Sequence, residues 1–180
     1  MDLDKTETVA SSIIVNPASA GPLRAGRFSG RHEFEQLIRD AFSRAATEGW
    51  PEIIISDASF EDWPLRERVV VDALQSWSKT GRHFTMLAKR FDSVQRYQPR
   101  FVNWRKTWSH IIECRQITSA DALDFPSAIW SRGWVMQRLD LARSNGMSGP
   151  EPDRRVALRE LLAERLRGST PGFAATTLGL

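Results

Sequence analysis

The chain has 180 residues, a formal net charge of +3 at neutral pH, and 41% hydrophobic residues. This length suits one compact domain that needs neither a metal nor a disulfide to fold, and a single cysteine cannot form an internal disulfide. No apolar run approaches the roughly 20 residues that span a bilayer, and the acidic N-terminal start is unlike a secretory signal. These features favour a soluble cytoplasmic protein.

The chain begins with a segment of little regularity. Residues 1–28 are rich in Ser, Ala, Pro and Gly and predict a loop, within which SSIIV can form a short edge strand. From His32 to Glu48, apolar residues recur every three or four positions, which predicts an amphipathic helix. The β-branched run EIIIS follows at once and predicts a buried strand.

A second helix is predicted after a short loop. Residues 62–81 carry its pattern, with Asp62 as the N-cap and Pro64 in the first turn, the part of a helix that tolerates proline. The apolar run at residues 82–89 then predicts the second strand.

The next crossover completes a repeating unit. Residues 91–109 predict a helical segment with a kink or a fresh turn at Pro99, and residues 110–117 predict a third strand. The resulting βαβαβ core, about residues 52–117, has crossovers long enough for parallel strands. We therefore predict an α/β fold, a single-domain three-layer sandwich with a mostly parallel sheet and helices on both faces.

Further elements follow this core. SAIWS and GWVMQRLD predict a hairpin or added strands, NGMSGPEPD predicts a loop, and residues 152–166 predict a last amphipathic helix. The predicted organisation is an N-terminal loop or edge segment at 1–28, one α/β domain at 29–168 and an apolar C-terminal tail at 169–180.

Two adjoining segments carry opposite charge. Residues 79–116 hold nine cations and two acids, whereas residues 48–72 hold seven acids and two cations. The two segments can neutralise each other inside the fold, or they can give the molecule two complementary faces for self-association. We favour internal neutralisation.

An aromatic stripe lies within the basic segment. At 100° per residue, Phe101, Trp104 and Trp108 share one narrow helical face, with Arg100 and Arg105 on its borders. The stripe can be buried against the sheet, or it can stack on the bases of a single-stranded nucleic acid. Because a crossover helix must cover its sheet, we expect burial.

Known chemical motifs are missing from the sequence. It contains no GxGxxG, P-loop, CxxC, HExxH or GxSxG pattern, so we predict no cofactor and no bound metal. His83 and His110 each begin a predicted strand, which places them at the edge opposite the usual ligand site of an open α/β sheet. A catalytic role for them is disfavoured.

The carboxyl ends of the predicted strands offer a different set of residues. Asp57 and Asp92 lie there and could act as metal ligands or acid–base groups in a phosphate-ester hydrolase, although such residues also occur in ordinary strand-to-helix loops. The basic segment offers a candidate surface for nucleic acid or phosphate. Its candidate residues are Arg82, Lys89, Arg90, Arg96, Arg100, Arg105 and Lys106.

The run GRHEFEQLIRDAFSRAATEGWPEIIISDASFEDWPL, residues 30–65, resembles the opening helix and strand of phospholipase D-like domains in bacterial proteins. The order of elements over roughly residues 28–140 is similar to one half of that fold. The family's catalytic signature, HxKxxxxD, is missing, because neither His83 nor His110 has a lysine two residues later. The resemblance therefore implies that the phosphodiesterase chemistry is lost and that a lone half pairs with a second copy or another protein.

Three function classes remain. The first is a non-catalytic domain that works through protein association, as a homodimer or an adaptor, and we expect the chain not to be a monomer. The second is nucleic-acid or phosphate binding through the basic segment, and the third is the hydrolase. We also expect Cys114 to be a buried, inert thiol and Phe173 to dock on the domain or on a partner subunit.

Overall fold

A computed structural model describes residues 21–81, 83–119, 121 and 123–175. The helices of this part are α1 (Arg31–Glu48), α2 (Arg68–Ser78), α3 (Asp92–Tyr97), α4 (Pro99–Thr107) and α5 (Pro152–Arg167). The strands are β1 (Gly26–Phe28), β2 (Glu52–Asp57), β3 (His83–Ala88), β4 (Ile112–Gln116), β5 (Ser127–Ser131), β6 (Val135–Asp140), β7 (Asn145–Gly149) and β8 (Thr170–Pro171).

The described strands form a single sheet in the order β1-β7-β6-β5-β2-β3-β4-β8. At its centre β2, β3 and β4 are parallel neighbours, and each crossover between them is helical. The predicted βαβαβ core is therefore confirmed, as is the break in the second crossover at Pro99, which starts α4.

The prediction of a mostly parallel sheet is wrong. Within the described residues, five of the seven strand pairs are antiparallel. For the β5–β6 and β6–β7 pairs the physical reason is the length of the connections: the turns at residues 132–134 and 141–144 are far too short for a parallel crossover. The predicted hairpin of SAIWS and GWVMQRLD is confirmed as the β5–β6 pair.

The segment NGMSGPEPD was predicted to be a loop, and this is also wrong. Its first five residues form β7, which pairs with β6 on one side and β1 on the other. The glycine that suggested a loop has a steric role instead. A Cβ on Gly146 would lie 2.2 Å from the Gln137 carbonyl oxygen and 2.5 Å from the Phe28 ring, so the close approach of these strands requires glycine.

Helices cover both faces of the sheet, as the apolar strands predicted. In β2, Ile53 and Ile55 belong to the core under α1, α2 and α4, whereas Ile54 belongs to the second core under α5. The second core also contains Leu158 and Leu162 of α5. Alternate side chains of one strand therefore enter two apolar cores, one on each face of the sheet. A sheet with helices on both faces is the predicted three-layer arrangement.

Helix α2 begins later than predicted. It starts at Arg68, and neither Asp62 nor Pro64 belongs to it. The chain first forms an irregular loop, in which the side chain of Asp62 pairs with Arg138 and cannot cap a helix. This loop lies at the carboxyl end of β2 and contributes to the site described below.

The aromatic stripe of α4 is buried, as expected. Phe101 and Trp104 are 0% and 3% exposed, and Trp108 packs against the same core while partly exposed. The Trp104 indole nitrogen donates a hydrogen bond of 2.9 Å to the Ser78 hydroxyl. Because Phe101 and Trp104 lie in the interior, the stripe cannot serve as a stacking platform for bases.

The C-terminal segment docks on its own domain. Thr170 and Pro171 pair with the edge of β4, and the Phe173 ring lies 5.3 Å from the Phe91 ring, leaving Phe173 7% exposed. The expected docking of Phe173 is thus confirmed in cis. Leu178 and Leu180, and the SSIIV run near the N-terminus, lie outside the described residues.

Cys114 is expected to react slowly with thiol reagents in the native protein. Burial raises the pKa of its thiol to about 11, and the nearby Arg105 guanidinium only partly opposes this. The thiolate fraction near neutral pH should therefore be roughly a hundredfold below that of a free cysteine. Labelling rates in native buffer and in urea measure this, and equal rates in both would contradict it.

Candidate functional site

A cleft opens at the carboxyl ends of the parallel strands, where β2 ends at Asp57 and β3 at Ala88. Ligands of open α/β sheets bind at this edge. The cleft has a volume of about 580 Å³. Its lining residues are Arg31, Asp57, Ala58, Ser59, Glu61, Asp62, Arg66, Arg90, Tyr97, Leu123, Phe125, Arg138 and Leu141.

The floor of this cleft is a buried ionic cluster around Arg138 of β6. Its Nη2 atom lies 2.9 Å from the Asp57 carboxylate, and its Nη1 atom contacts Asp62. The Nε atom donates to the Ser127 hydroxyl at 3.1 Å, and the guanidinium lies 4.2 Å from the centroid of the Phe34 ring. Arg138 therefore joins β6 to β2, β5 and α1 beneath the cleft.

The remaining oxygen of Asp57 holds the loop that follows β2. Its Oδ1 atom accepts hydrogen bonds from the backbone N–H groups of Ser59 and Phe60, at 3.0 and 2.9 Å. Phe60 has a φ of 55°, a left-handed conformation that costs free energy for a bulky residue, and its carbonyl accepts a bond from the Gln98 side chain at 2.9 Å. Strained backbone of this kind is often found at functional sites.

This geometry bears on the proposed metal and acid–base roles of Asp57 and Asp92. Both oxygens of Asp57 are engaged by Arg138 and by backbone N–H groups, so this carboxylate organises the loop. Asp92 is exposed at the start of α3. Within residues 21–175, as far as they are described, no three His, Cys, Asp or Glu side chains form a group that could hold a metal ion.

Four arginines line the cleft or contact a residue that lines it, and we call them the rim cations: Arg66, Arg90, Arg96 and Arg100. Arg66 and Arg90 line the cleft directly. The Arg100 guanidinium donates to the Arg66 carbonyl at 3.3 Å, and the Arg96 guanidinium lies 5.9 Å from the centroid of the Tyr97 ring. All four are exposed, and none has an ion pair with another described residue.

The expected neutralisation of the two charged segments does not take the form of direct ion pairs between described residues. Acids of residues 48–72 pair instead with arginines outside the basic segment: Glu67 with Arg39, Asp57 with Arg138, and Glu52 with Arg159. Between described residues, no ion pair joins residues 48–72 to residues 79–116. Several cations of the basic segment, among them Arg90, Arg96 and Arg100, are therefore exposed without an ion pair to another described residue.

The other residues of the predicted basic set are dispersed. Lys89 follows β3 and is half-buried, with its backbone N–H bonded to the Ala58 carbonyl. Arg105 is only 6% exposed and donates to the Phe173 carbonyl at 3.1 Å, so it cannot reach a ligand at the surface. Lys106 is exposed near the far end of α4, and Arg82 lies outside the described residues.

Two of the three histidines, His83 and His110, lie away from the cleft. His83 opens β3, and its Nε2 atom is 3.6 Å from the exposed carboxylate of Glu113. His110 precedes β4, and its ring centroid lies 5.8 Å from that of Trp108. These positions are at the amino ends of the parallel strands, the edge opposite the cleft.

Comparison with known proteins identifies a protein of similar fold but no family to which the chain belongs. No family model and no curated protein matches the chain. Among solved structures, the fold is similar to that of TrmBL2, described as an archaeal chromatin protein with a novel mode of DNA binding. The TM-score is 0.63 at 13% identity, over 86% of this chain and 56% of that one, so this chain spans little more than half of TrmBL2.

Several residues of the site could not be predicted from the sequence. The sequence indicates only weakly that Arg138 is buried. The indication is that Arg138 shares a face of the predicted strand with Met136, which is buried in the structure. Arg66 lies within the acidic segment, and nothing in the sequence singles out Tyr97. The three come together at the cleft only because β2, β6 and α3 meet there.

No helix of the described residues is long and apolar enough to cross a membrane.

Proposed function

We propose that this protein binds nucleic acids through contacts between the rim cations and backbone phosphates. The observation that supports this most strongly is the absence of ion pairs at Arg66, Arg90, Arg96 and Arg100 among the described residues, although acids are abundant nearby in the sequence. Arginines that are not neutralised within the protein can release the counterions of a polyanion, and this release supplies most of the affinity for nucleic acids.

The kind of cation also favours phosphate as the ligand. The four rim cations are all arginines, and a guanidinium binds phosphate through two parallel hydrogen bonds. Arg66 and Arg90 line the cleft itself. Arg96 contacts Tyr97 and Arg100 contacts the Arg66 backbone, so these two charges lie next to the cleft. Asp57 and Asp62 also line this cleft, but Arg138 pairs with both and reduces their repulsion of a phosphate.

The similarity to TrmBL2 adds support of a weaker kind. TrmBL2 is described as a chromatin protein that binds DNA, and the two chains have similar folds. A shared fold does not by itself transfer a binding site from one protein to another, and the exposed rim cations of this chain are the stronger support.

Binding should be salt-dependent and should decrease when the rim cations are removed. We expect the logarithm of the association constant to fall linearly with the logarithm of salt concentration, because each phosphate contact releases counterions. Changing all four rim arginines to Gln should reduce the slope by about three to four. Fluorescence anisotropy with labelled oligonucleotides over a salt series measures both quantities.

Two further variants make this test specific. Arg154→Gln removes an exposed arginine from α5, on the other face of the sheet, and should leave affinity and slope unchanged. Glu61→Gln removes an exposed acid that lines the cleft and should strengthen binding. If Arg154→Gln reduced the affinity as much as changing all four rim arginines to Gln does, the binding would be nonspecific attraction and the proposed site would be overturned.

Self-association and the resemblance to half of a phospholipase D-like domain stay predictions. A homodimer would be compatible with nucleic-acid binding, since paired copies would present two clefts.

A further inference from the structure

One aromatic side chain lies exposed beside the rim cations. Tyr97, the last residue of α3, is 61% exposed and lines the same cleft as Arg66 and Arg90. The Arg96 guanidinium lies 5.9 Å from the centre of its ring. Leu123, which is 81% exposed, lines the cleft as well, so the opening combines an apolar surface with positive charge.

The backbone around Tyr97 is anchored although its ring is exposed. Val94 and Gln98 are 0% and 3% exposed. The Gln98 side chain donates a hydrogen bond of 2.9 Å to the Phe60 carbonyl in the strained loop after β2. The ring is therefore presented from a fixed position, and little freedom of the backbone is lost when a ligand contacts it.

Given the proposed function, we infer that an unpaired nucleobase stacks on Tyr97 in this cleft and that the protein prefers single-stranded nucleic acid. Proteins that bind single strands combine a positively charged groove with aromatic side chains on which bases stack. The faces of bases in a duplex are covered by their neighbours, so a duplex can offer phosphates to the rim cations but no base to Tyr97. The cleft volume of about 580 Å³ lies within the range of small-ligand pockets.

Three oligonucleotides of one length test this inference: a single strand, a duplex of the same sequence, and a single strand that is abasic throughout. We expect the single strand to bind most tightly. Tyr97→Ala should weaken binding to it by roughly 5- to 150-fold, the range for loss of one base stack. Tyr97→Phe keeps the ring and should bind nearly as the unaltered protein does.

The abasic strand and the duplex separate stacking from charge. Binding to both should be insensitive to Tyr97→Ala, because neither offers a base to the ring. Equal affinity for single strand and duplex, with no effect of Tyr97→Ala, would overturn the inference and leave phosphate binding by the rim cations in place. Failure of all three oligonucleotides to bind at low salt would overturn both proposals.

Discussion

Changing Trp104 to Ala should lower the free energy of unfolding by about 3–5 kcal/mol, the range for large aromatic truncations in a core. The side chain is 3% exposed, and its ring lies 5.1 Å from those of Phe84 and Phe101. Removal would leave a cavity between α4 and β3 and would deprive the buried Ser78 hydroxyl of its indole donor. Urea denaturation followed by tryptophan fluorescence or circular dichroism measures the change.

Trp108 provides the matched control on the same helical face. It is partly exposed, and its indole nitrogen donates to the exposed Gln75 side chain. Trp108→Ala should therefore cost clearly less than Trp104→Ala. Similar losses of unfolding free energy in the two variants would show that Trp104 is not more deeply buried than Trp108.

Changing Arg138 to Met should cost about 3–5 kcal/mol, because it leaves the Asp57 carboxylate buried without its partner. The guanidinium also donates a hydrogen bond to the Ser127 hydroxyl and contacts the Phe34 ring. Methionine cannot donate the bond and replaces the ring contact only in part. The loop after β2 should loosen, since Asp57 also holds the N–H groups of Ser59 and Phe60. Chemical denaturation gives the stability, and hydrogen exchange reports on the loop.

A second change separates the cost of an unpaired charge from lost packing. Asp57→Asn keeps the Oδ1 acceptor for the loop and removes the charge, so Asp57→Asn with Arg138→Met should be more stable than Arg138→Met alone. A double variant less stable than both single variants would show that lost packing, and not an unpaired buried charge, causes the destabilisation of Arg138→Met.

The central part of the fold could be predicted from the sequence because its signals are local. The apolar spacing of α1 and the run Glu52–Ser56 identify their elements, and the length of each crossover fixes the parallel order of β2, β3 and β4. Strand β7 could not be predicted in this way. Its Gly146 is required by contact with Phe28, a residue 118 positions earlier, and the local sequence resembles a loop.

The candidate site was predictable only in part. Arg90, Arg96 and Arg100 lie in a segment whose positive charge is evident in the sequence, and three of the four rim cations were identified in this way. Which cations stay unpaired depends on distant acids. Glu67 pairs with Arg39, and Asp57 pairs with Arg138, so neither acid is available to the basic segment. These pairs are products of tertiary packing.

The short strand β8 has a consequence for the behaviour of truncated forms. An uncovered strand edge presents N–H and C=O groups that can pair with other molecules, and such edges promote aggregation. Thr170 and Pro171 cover part of the β4 edge, and the Gly172 N–H bonds to the Cys114 carbonyl. Cutting the chain after Ser169 would open the edge of β4 and would also remove the Phe173 ring from the core, so the truncated protein would be less stable and would tend to form intermolecular sheets.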